Sequence, residues 1–337
     1  MSKPEAYLVS VLLPVYNVEP YIEKCCRSLF GQTYDNIEFV FVDDCSTDKS
    51  IAILKNALID FPEREPAVKI LRHERNSGQA TGRNTALKNA QGEYVVFVDA
   101  DDWIEKDAIR LLVDKQIETG ADIVYGQMIA HYASHEEYLL EPHYASKAEM
   151  VRHATELTID HSLCKRLYRK SLFCENQIGC VDGWDYGEDH YLLPQLYWYA
   201  NCIERIEDVI YHYNCWKSGK ASPPLTTIWK MWSNELNIID ALLLFFADKD
   251  SDCVESLKHT KVACLMSCLG QSYAHRTRKK YNQLAAVLYA MPKPYFSKAQ
   301  FCRPHEYVLY RFYDSRLIYR AIVKVLSKMC SMLKIAG

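Results

Sequence analysis

The sequence predicts an α/β fold: a mostly parallel sheet with helices on both faces, followed by a helical C-terminal region. Short apolar runs alternate with helix-period segments over roughly the first 130 residues. The runs are continuously apolar, as strands covered on both faces require. Beyond "ASPP", Ala221–Pro224, the pattern is helical to the end.

In chain order, "LVSVLL" (Leu8–Leu13) reads as a buried strand. "YIEKCCRSLF" follows as a helix with Ile22, Cys25, Cys26, Leu29 and Phe30 on one face. "IEFVFV" (Ile37–Val42) is a second strand, and "STDKSIAILKNAL" a helix opened by Ser46 or Thr47 as its cap. "VKIL" (Val68–Leu71) is the third strand, "ATGRNTALKNA" the third helix and "YVVFV" (Tyr94–Val98) the fourth strand. A helix around Ala108 to Ile117 leads into a fifth strand, "ADIVYG" (Ala121–Gly126). Lys147 to Tyr213 is mixed and rich in aromatics. No internal repeat is visible.

Composition narrows the function classes. A formal charge of −3 argues against a general nucleic-acid binder. The 13 cysteines, an odd number without a signal-peptide pattern, predict reduced thiols in a cytosol. No Cys-x-x-Cys pair occurs, and Cys25 and Cys26 read as small core residues. No apolar run approaches the ~20 residues of a membrane span, and "ALLLFFA" (Ala241–Ala247) is far too short.

In a parallel sheet, ligands bind at the carboxyl ends of the strands, so "PVYN", "DDCSTD", "RHERNSG" and "DADD" are expected at one edge. In "DADD" a buried strand ends in three carboxylates, Asp99, Asp101 and Asp102. Hard oxygen ligands at that density suit Mg²⁺ or Mn²⁺, which also hold substrate phosphates. Acids opening a helix are the other reading, and Asp102 fits it before "WIEKDAIRLL". Asp43 and Asp44 of "VDDCSTD" either shape an Asx turn or accept from a base imide or ribose hydroxyl. Tyr16 offers a ring to stack on a base, and "NSGQATGRN" sets Asn76, Gly78 and Arg83 at a turn entering a helix, where a diphosphate would sit.

In order and spacing, "PVYN", "DDCSTD", "NSGQATGRNTAL", "GEYVVFVDADDW" and "GEDHYLL" resemble the inverting glycosyltransferases of family 2, which have a GT-A fold. The resemblance runs from about Val9 to Asn214, and "KRLYRKSLF" and "DVIYHYNCWKSGKAS" are similar to segments of bacterial members that build capsular and lipopolysaccharide chains. It implies a GT-A catalytic domain over residues 1–220, with a nucleotide-sugar half at about 1–130 and an acceptor half at about 131–220, and a helical region over 221–337. It implies that Asp99 and Asp101 form an Asp-x-Asp pair for Mn²⁺ or Mg²⁺, with Asp101 the direct ligand and Asp99 also facing the donor. Asp44, with Asp43 beside it, matches the acid that reads the base, and Pro14 and Tyr16 match the first nucleotide loop. Asn76 lies in the matching glycine turn, and Arg83 matches a basic position near the diphosphate. Asp189 matches the catalytic base.

Beside that base, like charge on Glu188 would raise its proton affinity, and Trp184 offers either an acceptor-sugar platform or a core ring. The donor expected is a UDP-sugar and the acceptor a glycan or lipid-linked oligosaccharide. A sugar nucleotidyltransferase would show a Gly-rich basic first loop, and "PVYNVEPY" has no glycine. A non-catalytic nucleotide-sugar binder of the same fold is the third reading. From Ser315 to Gly337 there is no acid, and Arg316, Arg320, Lys324 and Lys328 recur every fourth residue beside an apolar stripe. This basic amphipathic pattern fits either an anionic membrane surface or a packed helix, and predicts a cytoplasmic protein with a possible peripheral place on the membrane's inner face.

Overall fold

The computed structural model describes residues 7–215 and 225–274. The chain forms two compact units, one from residues 1–154 with 159–223, the other from 155–158 with 224–337. The basic stripe of 315–337 lies outside the described residues.

In the first unit the expected elements appear with shifted ends. β1 (Val9–Val15), β2 (Ile37–Asp43), β3 (Val68–Arg72) and β4 (Tyr94–Phe97) pair in parallel, in the order β3-β2-β1-β4. α1 (Ile22–Phe30) buries the five apolar residues expected of it, Cys25 and Cys26 among them. α3 (Gln79–Asn89) packs against β1 at Gly82, where a Cβ would meet the Pro14 side chain at 2.9 Å.

α2 (Ser50–Leu58) begins later than a Ser46 or Thr47 cap would require. The Ser46 hydroxyl instead accepts the Asn17 N–H, and the Thr47 N–H donates to Asn17 Oδ1 at 2.9 Å. Asp48 accepts the Ser50 N–H at 3.0 Å and the Ser50 hydroxyl at 2.6 Å. The polar run that looked like a cap therefore ties β2 to the turn after β1.

The second half of the sheet is mixed rather than parallel. β8 (Arg166–Arg169) lies antiparallel between β4 and β6 (Ile123–His131). β9 (Ile203–Asn214) runs parallel to β6 and antiparallel to the short β5 (Trp103–Ile104), and β7 (Glu136–Leu139) forms a hairpin with β6. α4 (Ala108–Thr119), α5 (Lys147–Thr155), α6 (Ser171–Glu175) and α7 (Glu188–Tyr199) complete the unit.

β8 escaped the sequence pattern because Lys165 and Arg166 are charged yet buried. Lys165 Nζ lies 2.9 Å from Glu141 and 2.7 Å from Asp160, and Arg166 Nη2 lies 2.6 Å from Glu141. Two cations facing two anions form a neutral cluster, which is what burial of charge demands.

Asp102 also departs from expectation. α4 begins at Ala108, so Asp102 does not open it. Its carboxylate is buried, accepting the Tyr211 hydroxyl at 2.7 Å and the Asn214 N–H at 2.8 Å. Tyr211 in turn accepts the Asp99 N–H at 3.2 Å. This clamp fastens the β4–β5 turn to β9.

The second unit contains the helical hairpin of α8 (Leu225–Phe246) and α9 (Ser251–Ala274). Ile238, Ile239, Leu242, Phe246, Leu257, Val262 and Leu265 are among its buried residues. Asp250 accepts the Cys253 N–H at 2.8 Å at the start of α9. Among the described residues no helix is long and apolar enough to cross a membrane.

The clamp makes Tyr211→Phe informative. Losing the hydroxyl strips a buried carboxylate of a donor and the Asp99 N–H of its acceptor, a loss expected to cost about 1–3 kcal/mol. Urea unfolding should show it, and unchanged stability would show that the clamp holds nothing.

Candidate active site

The polar ends of β1, β2, β3 and β4 meet at one edge of the sheet, around a cavity of about 540 Å³. Of the residues singled out from sequence, Pro14, Tyr16, Asp44, Asn76, Gly78, Asp99 and Asp101 line it. Tyr16 is 46% exposed, so its ring is open to a partner.

Asp44 is buried and its carboxylate is oriented by three contacts. His73 Nδ1 lies 2.7 Å and the Ser77 N–H 2.8 Å from one oxygen, and the Gly78 N–H donates to the other at 2.8 Å. His73 is itself held by Thr85 at 3.0 Å. Such a carboxylate is fixed in place while presenting an edge to the cavity. Asp43 behaves differently. It accepts the Ser46 N–H at 2.8 Å, faces Arg72 at 3.0 Å and does not line the cavity.

Gly78 opens α3 with φ +91°, a left-handed conformation that favours glycine. A Cβ there would also lie 2.0 Å from Asp185 Oδ1. Sterics and backbone thus require the same residue, and Asp185 is drawn against the start of α3.

Asp99 and Asp101 both face the cavity across the turn after β4. Asp99 is reached by Gln79 Nε2 at 3.1 Å and Arg83 Nη2 at 3.0 Å. Among the described residues no group of three or more His, Cys, Asp or Glu is assembled to hold a metal. The donor set is nevertheless two carboxylates with only oxygen ligands, which fits Mg²⁺ or Mn²⁺ held by one or two acids together with substrate phosphates. The residues present fit such an ion.

Arg83 does not line the cavity. Its side chain is 2% exposed, and it joins Asp99 to Glu188 Oε1 at 2.9 Å and to Asp189 by a short contact. Glu188 and Asp189 open α7, and the second oxygen of Asp189 accepts the Leu163 N–H at 3.2 Å. Burial pushes Glu188 up to about 7, against the pull of Arg83 and with the Asp189 charge adding to the rise. Burial also raises Asp189, opposed by Arg83 and reinforced by Asp99. The like charge that raises Asp189 thus comes from the strand end, whereas the sequence had pointed to Glu188.

Trp184 does not reach the cavity and packs edge-on against Tyr191, with ring centroids 5.5 Å apart. The cavity wall on that side is built from Asp185, Tyr186 and Tyr213, which the sequence reading missed. The signal available for Asp185 was its place in "GWDYGED", one residue past the tryptophan. Tyr213 is one of 24 tyrosines, and only the register of β9 brings it to the site.

The glycosyl transferase family 2 profile matches residues 10–175. Glycosyltransferase GlyA of Streptococcus pneumoniae is 33% identical over 69% of this chain and 33% of its own length. The poly(ribitol-phosphate) beta-N-acetylglucosaminyltransferase TarS of Staphylococcus aureus is 29% identical over 63% of this chain and 36% of its own length. The chain thus spans about a third of these two relatives. The crystal structure of TarS 1–349 in complex with UDP superposes with a TM-score of 0.70 at 21% identity, covering 95% of this chain and 91% of that one. The mannosyltransferase PcManGT of Pyrobaculum calidifontis, in complex with GDP-Man and Mn²⁺, superposes with a TM-score of 0.53 at 18% identity, covering 97% of this chain and 87% of that one. With its cavity at the strand ends, its GT-A architecture and the order of its acidic turns along the sheet edge, the chain belongs to glycosyltransferase family 2.

Proposed function

We propose that this protein transfers a sugar, with inversion, from a UDP-sugar to a hydroxyl of a glycan acceptor, with Mn²⁺ or Mg²⁺ bound. The observation that carries the reading is the single cavity shared by Tyr16, Asp44, Asp99 and Asp101. Tyr16 stacks on the base, and the oriented edge of Asp44 accepts its imide N–H. Pro14 and Asn76 complete that end of the cavity. Asp99 and Asp101 would hold the divalent ion, which, when bound, neutralises charge on the leaving diphosphate. Support for a UDP-linked donor comes from TarS, whose structures include complexes with UDP and UDP-GlcNAc. Support for a divalent ion comes from the Mn²⁺ complex of PcManGT.

Asp189 accepts the proton of the attacking hydroxyl. Its side chain is 22% exposed, and its raised proton affinity suits that task at neutral pH better than an ordinary aspartate would. Tyr186 and Tyr213 give the acceptor side aromatic faces that suit sugar C–H groups. The basic stripe of 315–337 would meet an anionic membrane surface, where a lipid-linked acceptor is displayed.

Three outcomes follow from this assignment. Asp101→Ala should remain folded and lose Mn²⁺-dependent UDP binding in calorimetry. Binding equal to wild type would remove Asp101 from the metal. Asp189→Asn should still bind UDP while kcat falls by about 10² to 10⁴. Glu188→Gln should lose less, and a dead Glu188→Gln beside an active Asp189→Asn would move the base to Glu188. Finally, truncation after Asp314 should lower sedimentation with anionic vesicles in a salt-sensitive way. Equal pelleting of the full and truncated chains would end the membrane reading.

A further inference from the structure

Gly78 and Arg83 of "NSGQATGRN" mark a turn suited to a diphosphate, yet several side chains of that helix reach another segment of the chain. Gly78 lies under Asp185. The Thr81 hydroxyl donates to Asp182 at 3.0 Å. Asn84 grips the backbone of Cys180 twice, donating to its carbonyl at 2.7 Å and accepting its N–H at 2.9 Å. A Cβ on Gly179 would crowd Asn84 Oδ1 at 3.1 Å, so the backbone approaches this grip closely. Arg83 adds Glu188 and Asp189. Gly78, Thr81, Arg83 and Asn84 thus all meet the 179–189 segment, and through Arg83 and Gln79 the same helix also holds Asp99.

We propose that Arg83 is a positioning residue, fastening the segment that carries Asp189 to the acid that faces the donor and touching neither donor nor acceptor. The proposal rests on Asp189 being the base. Three features argue for it over a diphosphate contact. The guanidinium is almost fully buried, and it is absent from the cavity wall. Both of its terminal nitrogens are committed to carboxylates from two different elements. To reach a phosphate, Arg83 would have to abandon the buried Glu188 and the half-buried Asp189 at the start of α7, leaving like charges side by side with no cation between them.

A planar, forked guanidinium spans Asp99 and the α7 acids at once, whereas a lysine ammonium is a point charge that meets one side at a time. Arg83→Lys therefore keeps the charge and loses the span. Asn84→Ala removes only the Cys180 grip and alters no charge, and it serves as the second variant should Arg83→Lys fold poorly.

The test combines calorimetric binding of UDP with Mn²⁺, kcat with a saturating UDP-sugar, and hydrogen exchange over residues 180–190. For Arg83→Lys we expect UDP affinity within about threefold of wild type, kcat lower by about 10²-fold or more, and faster exchange in the segment. Asn84→Ala should move in the same direction, with kcat down by about tenfold at unchanged UDP affinity. Arg83→Lys that binds UDP tenfold more weakly and retains kcat would make Arg83 a donor ligand and overturn the proposal. So would unchanged exchange together with unchanged kcat. Exchange is read without turnover, so the base assignment fails separately: fast exchange in Arg83→Lys beside a fully active Asp189→Asn would keep the clasp and discard the base.

Discussion

Arg83 lies between Asp99, past the end of β4, and the pair Glu188–Asp189 at the start of α7, with its guanidinium almost out of reach of water. Three carboxylates around one cation leave an excess of negative charge in a poorly solvated place. That excess governs the local chemistry. Burial raises the proton affinity of Glu188 and Asp189, the neighbouring carboxylates add to the rise, and the same excess makes a further cation on the Asp99 side favourable. The crowding of acids after a buried strand, puzzling by itself, is what a site for an anionic substrate with a divalent ion would need. Such an ion and the guanidinium would divide the acids between them.

Such an arrangement requires rigid walls, because a carboxylate free to turn would find water. Each acid is tied by a different device. Asp44 is held by backbone N–H groups of the turn before α3. Asp102 gives up any contact with ligand to anchor the β4–β5 turn to Tyr211 and Asn214. Asp189 is fixed by the Leu163 N–H, just before the buried cluster of Lys165, Arg166, Glu141 and Asp160. Removing one member of that cluster would strand a buried charge, so it holds its loop firmly even where its net contribution to stability is small.

The legible part of the molecule was the part whose signals are local. Four parallel strands and their helices follow from continuous apolar runs, and the polar strand ends followed from the sheet rule. Identical residue types in one run were not separable: Asp99 and Asp101 face the cavity while Asp102 is buried beneath, and only strand pairing with β9 decides which is which. β8 was hidden because its first residue and the lysine before it are charged, and their neutralisation comes from Glu141 and Asp160, distant in sequence. Arg83 read as a diphosphate contact because nothing in its own helix reveals that its partners sit about a hundred residues later. Tyr186 and Tyr213 carry no periodic or spacing signal, and Trp184, the more conspicuous aromatic, packs on Tyr191 instead.

A one-step displacement with Asp189 as the proposed base would invert the anomeric carbon, so the stereochemistry of the first-formed product tests the proposed function most directly. The protein would be incubated with an α-linked UDP-sugar and Mn²⁺, with water as the acceptor if no glycan serves, and the anomeric proton followed by NMR before mutarotation scrambles it. Direct displacement assisted by Asp189 predicts the β-anomer as the initial product. An initial α-anomer would contradict both the base assigned to Asp189 and the single-step transfer built on it.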